Sequence, residues 1–150
     1  MLSMPRSVRV AAAACALVVV IQAALLAFLA SQGQAWAQSL VTVGALGLLL
    51  AGLVRRWRIA WLWGRFLGFF LAALLAAFAF AEWRSGSSPA VLAILLPGIA
   101  LPLLVMSLAL GLPSAPGWFG LTCPTCGATT ARSADLLFRK ARCRSCQAEW

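Results

Sequence analysis

The chain has 150 residues, 63% of them hydrophobic and 10% charged, with a mean hydropathy of +0.97 and a formal net charge of +9. Soluble domains run nearer half apolar and a quarter charged, and a fold of this size has too little interior to hide so much apolar surface. These figures exclude an ordinary soluble domain and point to an all-α integral membrane protein with one small polar appendage.

The chain opens on a short basic segment in which Arg6 and Arg9 precede an unbroken apolar run from Val10 to Ala30. At 1.5 Å rise per residue, such a run crosses a hydrocarbon core of about 30 Å, so a first transmembrane helix is predicted over residues 10–30. Ala35-Trp36-Ala37 has the small-x-small form of a signal-peptide cleavage site. The preceding run exceeds the about 7–15 residues of a signal sequence, so an uncleaved helix is expected. Cys15 reads as a small apolar filler, and Gln22 as a hydrogen-bond partner for a neighbouring helix. A second span is predicted over 35–54, with Gly44, Gly47 and Ala51 giving it a small-residue surface.

Arg55, Arg56, Trp57, Arg58, Trp61, Trp63 and Arg65 crowd the next stretch. Indoles settle at the membrane interface and guanidinium groups meet lipid phosphates, so these seven are candidate headgroup contacts. The third span is predicted over 59–81. Within it Gly64, Gly68, Ala72 and Ala76 recur at every fourth position, a small-residue face suited to close helix packing. Arg65 lies about two turns inside and is expected to snorkel back to the interface.

Residues 82–89 read as a polar turn, and the fourth span covers 90–112. Pro97 and Pro102 interrupt it, and each removes a backbone hydrogen bond, so a kink or break is predicted. A linker follows over 113–120, too short and proline-rich to let the C-terminal module roam. Trp118 and Phe119 are expected at the boundary.

The last thirty residues carry the most specific signal. Cys123 and Cys126 form one C-x-x-C pair, and Cys143 and Cys146 a second, with sixteen residues between the pairs. Four thiolates at this spacing suit one tetrahedral zinc ion, each pair forming a knuckle and the intervening chain bringing the knuckles together. Cys123-Pro124-Thr125-Cys126-Gly127 and Cys143-Arg144-Ser145-Cys146 resemble the four-cysteine zinc-ribbon family, over residues 121–150 alone. The resemblance implies a small β ribbon, one structural Zn2+ and a binding surface rather than a reaction, because four thiolates leave no open coordination position. Gln147 departs from the family, standing where such ribbons often carry a second glycine. Leu136, Phe138 and Trp150 are the candidate ribbon core, which at this size needs a metal to fold.

The ribbon holds Arg132, Arg139, Lys140, Arg142 and Arg144 against Asp135 and Glu149, a formal +3. A zinc ion with four thiolates contributes about −2, leaving the module close to neutral. With four spans, the remaining cations gather beside the ends that share a side with the ribbon, while the other side has only Arg84. The positive-inside rule then places both termini in the cytoplasm, where thiols stay reduced. The arginine-rich, alanine- and leucine-rich composition points to a bacterial inner membrane.

The chain has no histidine and three acidic residues, none inside a predicted span. Proton- or cation-coupled transport usually uses intramembrane Asp, Glu or His, and a nucleophile lacking a nearby base has no obvious activation. The expectation is therefore a non-catalytic protein whose cytoplasmic ribbon docks a protein partner, with Phe138, Arg139, Lys140 and Arg142 as the candidate surface. Two alternatives stand beside it. One is a membrane-tethered module binding nucleic acid or anionic lipid. The other is a thiol-disulfide oxidoreductase using the paired cysteines.

Overall fold

The computed structural model describes residues 4–33, 37–85, 90–129, 143 and 145–149. Four long helices follow one another, α1 (Arg6–Ser31), α2 (Ala37–Val54), α3 (Arg58–Ser85) and α4 (Ala90–Gly111), and then a single turn, α5 (Ala115–Trp118). Alanine- and leucine-rich runs satisfy every interior backbone group within the helix, the form a chain must take where no water is available. Among the described residues three helices, in α1, α3 and α4, are long and apolar enough to cross a membrane, and the apolar part of α2 is shorter. No strand is found among the described residues, in which Thr122 and Thr129 form an isolated antiparallel bridge.

The helix ends follow local chemistry. Pro5 precedes α1 with extended geometry (φ −58°, ψ 149°), and its carbonyl accepts the first helical bond from the Arg9 N–H. Gly33, at φ +69°, closes that helix in the left-handed region that glycine adopts without strain. α3 runs on to Ser85 rather than ending near Ala81, so Glu82, Trp83 and Arg84 belong to its last turn and not to a polar turn.

The helices form a ring. α4 packs on α3 and on α1, α1 on α2, and α2 closes the ring against α3 along the loosest seam. Gly64 and Gly68 let α3 approach α4. A Cβ at Gly64 would lie 2.6 Å from the Leu110 side chain, and one at Gly68 would lie 2.8 Å from the end of Met106. Ala72 is buried on the same face, and Ala76 lies in a wholly apolar groove of about 420 Å³, where it faces Pro97, Ala100 and Leu101.

α4 does not break at its prolines. It is one helix from Ala90 to Gly111 with Pro97 and Pro102 inside it. Ile99, Leu103 and Met106 are buried on either side of Pro102, and this packing holds the axis where the lost hydrogen bond would otherwise loosen it.

Burial is concentrated at one end. On α1 the buried residues run from Ser7 to Val18 and stop there. At that end Val8, Cys15, Leu53, Leu110, Phe119 and Leu121 share one core. Toward the other end Phe28, Val41, Phe78 and Ile94 are exposed. Exposed apolar surface on this scale has no aqueous home.

Candidate metal centre and its seat on the bundle

The two cysteine knuckles are copies of one another. In the first, the Cys123 N–H donates to the Ala128 carbonyl at 2.9 Å and the Gly127 N–H to the Cys123 carbonyl at 2.9 Å. In the second, the Cys143 N–H donates to Ala148 at 2.8 Å and the Gln147 N–H to Cys143 at 3.1 Å. The fifth residue of each knuckle is left-handed, Gly127 at φ +69° and Gln147 at φ +61°. Gln147 thus adopts the conformation for which glycine would be the unstrained choice.

The four sulfurs lie within 4.8 Å of one another. Across the knuckles, Cys123 Sγ is 3.6 Å from Cys146 Sγ, and Cys126 Sγ is 3.4 Å from Cys143 Sγ. Four ligands at about 2.3 Å around a tetrahedral ion stand about 3.8 Å apart, so the set fits one metal with small adjustments. Cys123 and Cys143 are buried, while Cys126 and Cys146 face outward.

Backbone donors prepare the sulfurs for negative charge. N–H groups of Cys126 and Thr125 point at Cys123, those of Cys146 and Ser145 at Cys143, and those of Ala128 and Ala148 at Cys126 and Cys146. The Cys146 and Ser145 donors, against the opposing effect of burial, pull the Cys143 thiol down to about 6. Burial pushes the Cys123 thiol upward, but the donors from Cys126 and Thr125 outweigh it and the thiol ends below its ordinary value. Cys126 has the Ala128 N–H in its favour, yet its hydrogen bond as a thiol to Cys143, together with burial, pushes it up to about 12. Cys146 has the Ala148 donor, but burial and the neighbouring Cys123 raise it. Without metal, the Cys126–Cys143 pair therefore joins a thiol to a thiolate above about pH 6, and in the other pair Cys123 is the more acidic partner.

The knuckles sit directly on the bundle. Two residues after Trp118, Gly120 turns at φ +66°, and the Leu121 N–H returns to the Pro116 carbonyl at 3.0 Å. Ala115, Phe119 and Leu121 are all buried in the bundle core, and Ser7 Oγ meets Ser114 Oγ at 2.9 Å. The linker is a docked element of the bundle.

Two members of the arginine- and tryptophan-rich stretch, Arg56 and Arg58, serve this docking. α2 ends in a Schellman turn, with the Trp57 N–H donating to the Gly52 carbonyl at 2.8 Å and Arg56 left-handed at φ +62°. The Arg56 guanidinium lies 3.8 Å from the centre of the Trp118 ring. The Trp118 indole N–H donates to the Leu53 carbonyl at 3.2 Å, and that of Trp61 to the Leu110 carbonyl at 2.9 Å. Both acceptors belong to the last turns of helices, where carbonyls lack an intrahelical donor. Trp61 is 3% exposed, so it is a core residue and not the headgroup contact expected from the sequence. Arg58 donates to the Gly120 carbonyl at 3.4 Å, and Arg65 lies over the Trp61 and Phe66 rings. Arg55, Trp57 and Trp63 remain exposed. Phe138, Arg139, Lys140 and Arg142, with Leu136, Trp150 and the chain joining the knuckles, lie outside the described residues.

The role of Trp118 as a cap for α2 could not be read from its neighbours in sequence. Its signal, an aromatic just past a proline-rich linker, is shared by any interfacial tryptophan. No protein-family model matches this chain, and neither a curated protein nor a solved structure matches it.

Proposed function

We propose that this chain is a non-catalytic membrane protein that presents a zinc-bound ribbon as a rigid docking platform for a protein partner. The observation that carries the reading is the seat of the knuckles. Leu121, two residues before the first ligand, is fully buried in the bundle core, and Trp118 is pinned between Arg56 and the end of α2. A module fixed in this way presents one face in one orientation, which favours a specific partner over a roaming tether.

Cys123, Cys126, Cys143 and Cys146 would hold the ion, and zinc is the metal that suits four thiolates in this spacing. Its contribution is folding energy for a module too small to carry its own core. In this reading α2 joins the other three as a fourth span, both termini lie in the cytoplasm and the membrane is a bacterial inner membrane. Arg6, Arg9, Arg55, Arg56 and Arg58 at the ribbon end of the bundle, against Arg84 beside Glu82 at the other, support that orientation.

A thiol-disulfide oxidoreductase is less well supported. A reactive cysteine combines a lowered thiol pKa with exposure. Here the lowered thiols, Cys123 and Cys143, are the buried ones, and the exposed Cys126 and Cys146 are raised.

A photo-crosslinking residue placed at exposed Thr125 or Ser145, in native membranes, tests the platform. The expected result is one discrete protein adduct that disappears in Cys126→Ser. Adducts to lipid alone from both positions would contradict the reading.

A further inference from the structure

The four sulfurs of the metal centre are not equivalent toward solvent. Cys126 and Cys146 are exposed, as are their neighbours Thr125, Gly127, Ser145 and Gln147, while Cys123 and Cys143 are buried. A bound divalent metal keeps all four as thiolates, so in the loaded centre exposure alone ranks them. Oxidation of cysteine follows thiolate character and access, which the outward pair combines. The fifth cysteine of the chain, Cys15, is fully buried in the bundle core and does not compete.

Each outward sulfur faces an inward one across the knuckles. Cys126 Sγ lies 3.4 Å from Cys143 Sγ, and Cys146 Sγ lies 3.6 Å from Cys123 Sγ. A disulfide bond is about 2.05 Å long, so each pair needs to close by only about 1.5 Å. The two pairs share no sulfur, and both bonds can form in one module. The seat of the module uses none of these sulfurs. Phe119 and Leu121 are buried in the bundle core, and the Trp118 indole N–H donates to the Leu53 carbonyl.

We propose that the loaded centre is a peroxide-sensitive switch in which Cys126 and Cys146 are oxidised first and Cys143 and Cys123 resolve them. The exposed thiolate attacks one peroxide oxygen and the O–O bond breaks. The sulfur becomes a sulfenic acid, and the other oxygen takes a proton and leaves as water. The buried sulfur opposite then attacks the sulfenic sulfur, the S–O bond breaks, and the departing hydroxide takes a second proton. Each pair gives two electrons to one peroxide, so two peroxides yield two disulfides, four waters and a free divalent ion. Resting on the reading of a zinc-bound platform, the switch withdraws the docking face and leaves its anchor in the bundle.

The test exposes the full, zinc-loaded chain in detergent to hydrogen peroxide and follows released zinc with a colorimetric chelator. The expected result is loss of the one bound zinc, restored by a reductant and added zinc, with the helical far-UV circular dichroism unchanged. Trypsin cuts after Arg144 and so separates Cys143 from Cys146, which lets mass spectrometry read the pairing. Cys126–Cys143 and Cys123–Cys146 links are expected, with dimedone trapping sulfenic acid on Cys126 or Cys146 and on neither buried sulfur. Retained zinc, loss of the helical signal, disulfides within a knuckle, sulfinic or sulfonic acids in place of disulfides, or dimedone on Cys123 or Cys143 would each overturn the proposal. A chain that purifies without zinc would overturn the platform and the switch together, whereas a loaded chain inert to peroxide overturns the switch alone. Crosslinking from Thr125 in untreated membranes reports on the platform separately.

Discussion

The Arg56 guanidinium lies 3.8 Å above the ring of Trp118, joining the turn after α2 to the segment that leads into the metal centre. Arg56 holds a left-handed conformation, φ +62°, that costs a side-chain-bearing residue about 1–2 kcal/mol. A partly desolvated cation–π contact of this kind contributes about 0.5–2 kcal/mol, enough to offset that strain.

The pair therefore makes opposed predictions for two substitutions. Arg56→Ala removes the contact and keeps the strain, and should lower stability by about 1 kcal/mol or more. Arg56→Gly removes both and should lie within about 1 kcal/mol of wild type. Thermal unfolding of the metal-loaded chain in detergent checks this. Equal losses in the two variants would show that the ring contact and the strain do not balance.

Gln147 invites the converse experiment. It occupies the left-handed position that Gly127 fills in the first knuckle. Gln147→Gly should relieve up to about 1 kcal/mol and tighten metal binding by roughly two- to fivefold in chelator competition. Gly127→Ala should weaken it by a similar factor. Weaker binding in Gln147→Gly would mean that the glutamine side chain supports the knuckle more than its backbone strains it.

Proton release upon metal binding follows from the thiol pairs. Without metal at pH 7.5, the Cys126–Cys143 pair holds one proton, on Cys126, so one divalent ion binding all four sulfurs should displace at most about three. Cys143, lowered from its ordinary 9.0 to about 6, is already a thiolate at that pH. Its advantage to the metal-binding form is lost as the pH falls through about 6, where another proton must be displaced and affinity should fall more steeply. Calorimetry in buffers of different ionisation enthalpy counts these protons. A count near four at pH 7.5 would contradict the pairing.

The glycines of the bundle divide into those that packing uses and those it does not. A Cβ at Gly64 or Gly68 meets α4 side chains at 2.6 and 2.8 Å, whereas one at Gly44 meets nothing within 4 Å. Gly68→Val should cost about 1–3 kcal/mol through overpacking. Gly44→Ala should be neutral or gain up to about 1 kcal/mol of helix propensity. Denaturant titration in detergent compares them, and equal effects would argue against the α3–α4 contact.

The contrast between these features marks what the sequence made legible. Unbroken apolar runs have one low-energy solution in lipid, so the four helices were readable to within a few residues. C-x-x-C spacing likewise brings its sulfurs together by local turn geometry alone. Trp61 was misread because an indole at a helix end looks the same whether it meets a headgroup or a neighbouring carbonyl. Only the fold, placing Leu110 opposite it, decides between them. Pro97 and Pro102 were expected to kink or break α4, and it does not break because the neighbours that hold the helix lie on α1 and α3, far away in sequence. The docking of Phe119 and Leu121 was hidden for the same reason.

Metal content and thiol accessibility of the purified chain, prepared under reducing conditions, test the central claim most directly. The account predicts one zinc per chain and no rapidly labelled thiol, since the four ligands are bound and Cys15 is fully buried. Cys15 should label once the chain is unfolded, and the other four only after the metal is also removed. A metal-free chain whose cysteine pairs cycle between dithiol and disulfide would contradict the account and return the oxidoreductase reading to first place.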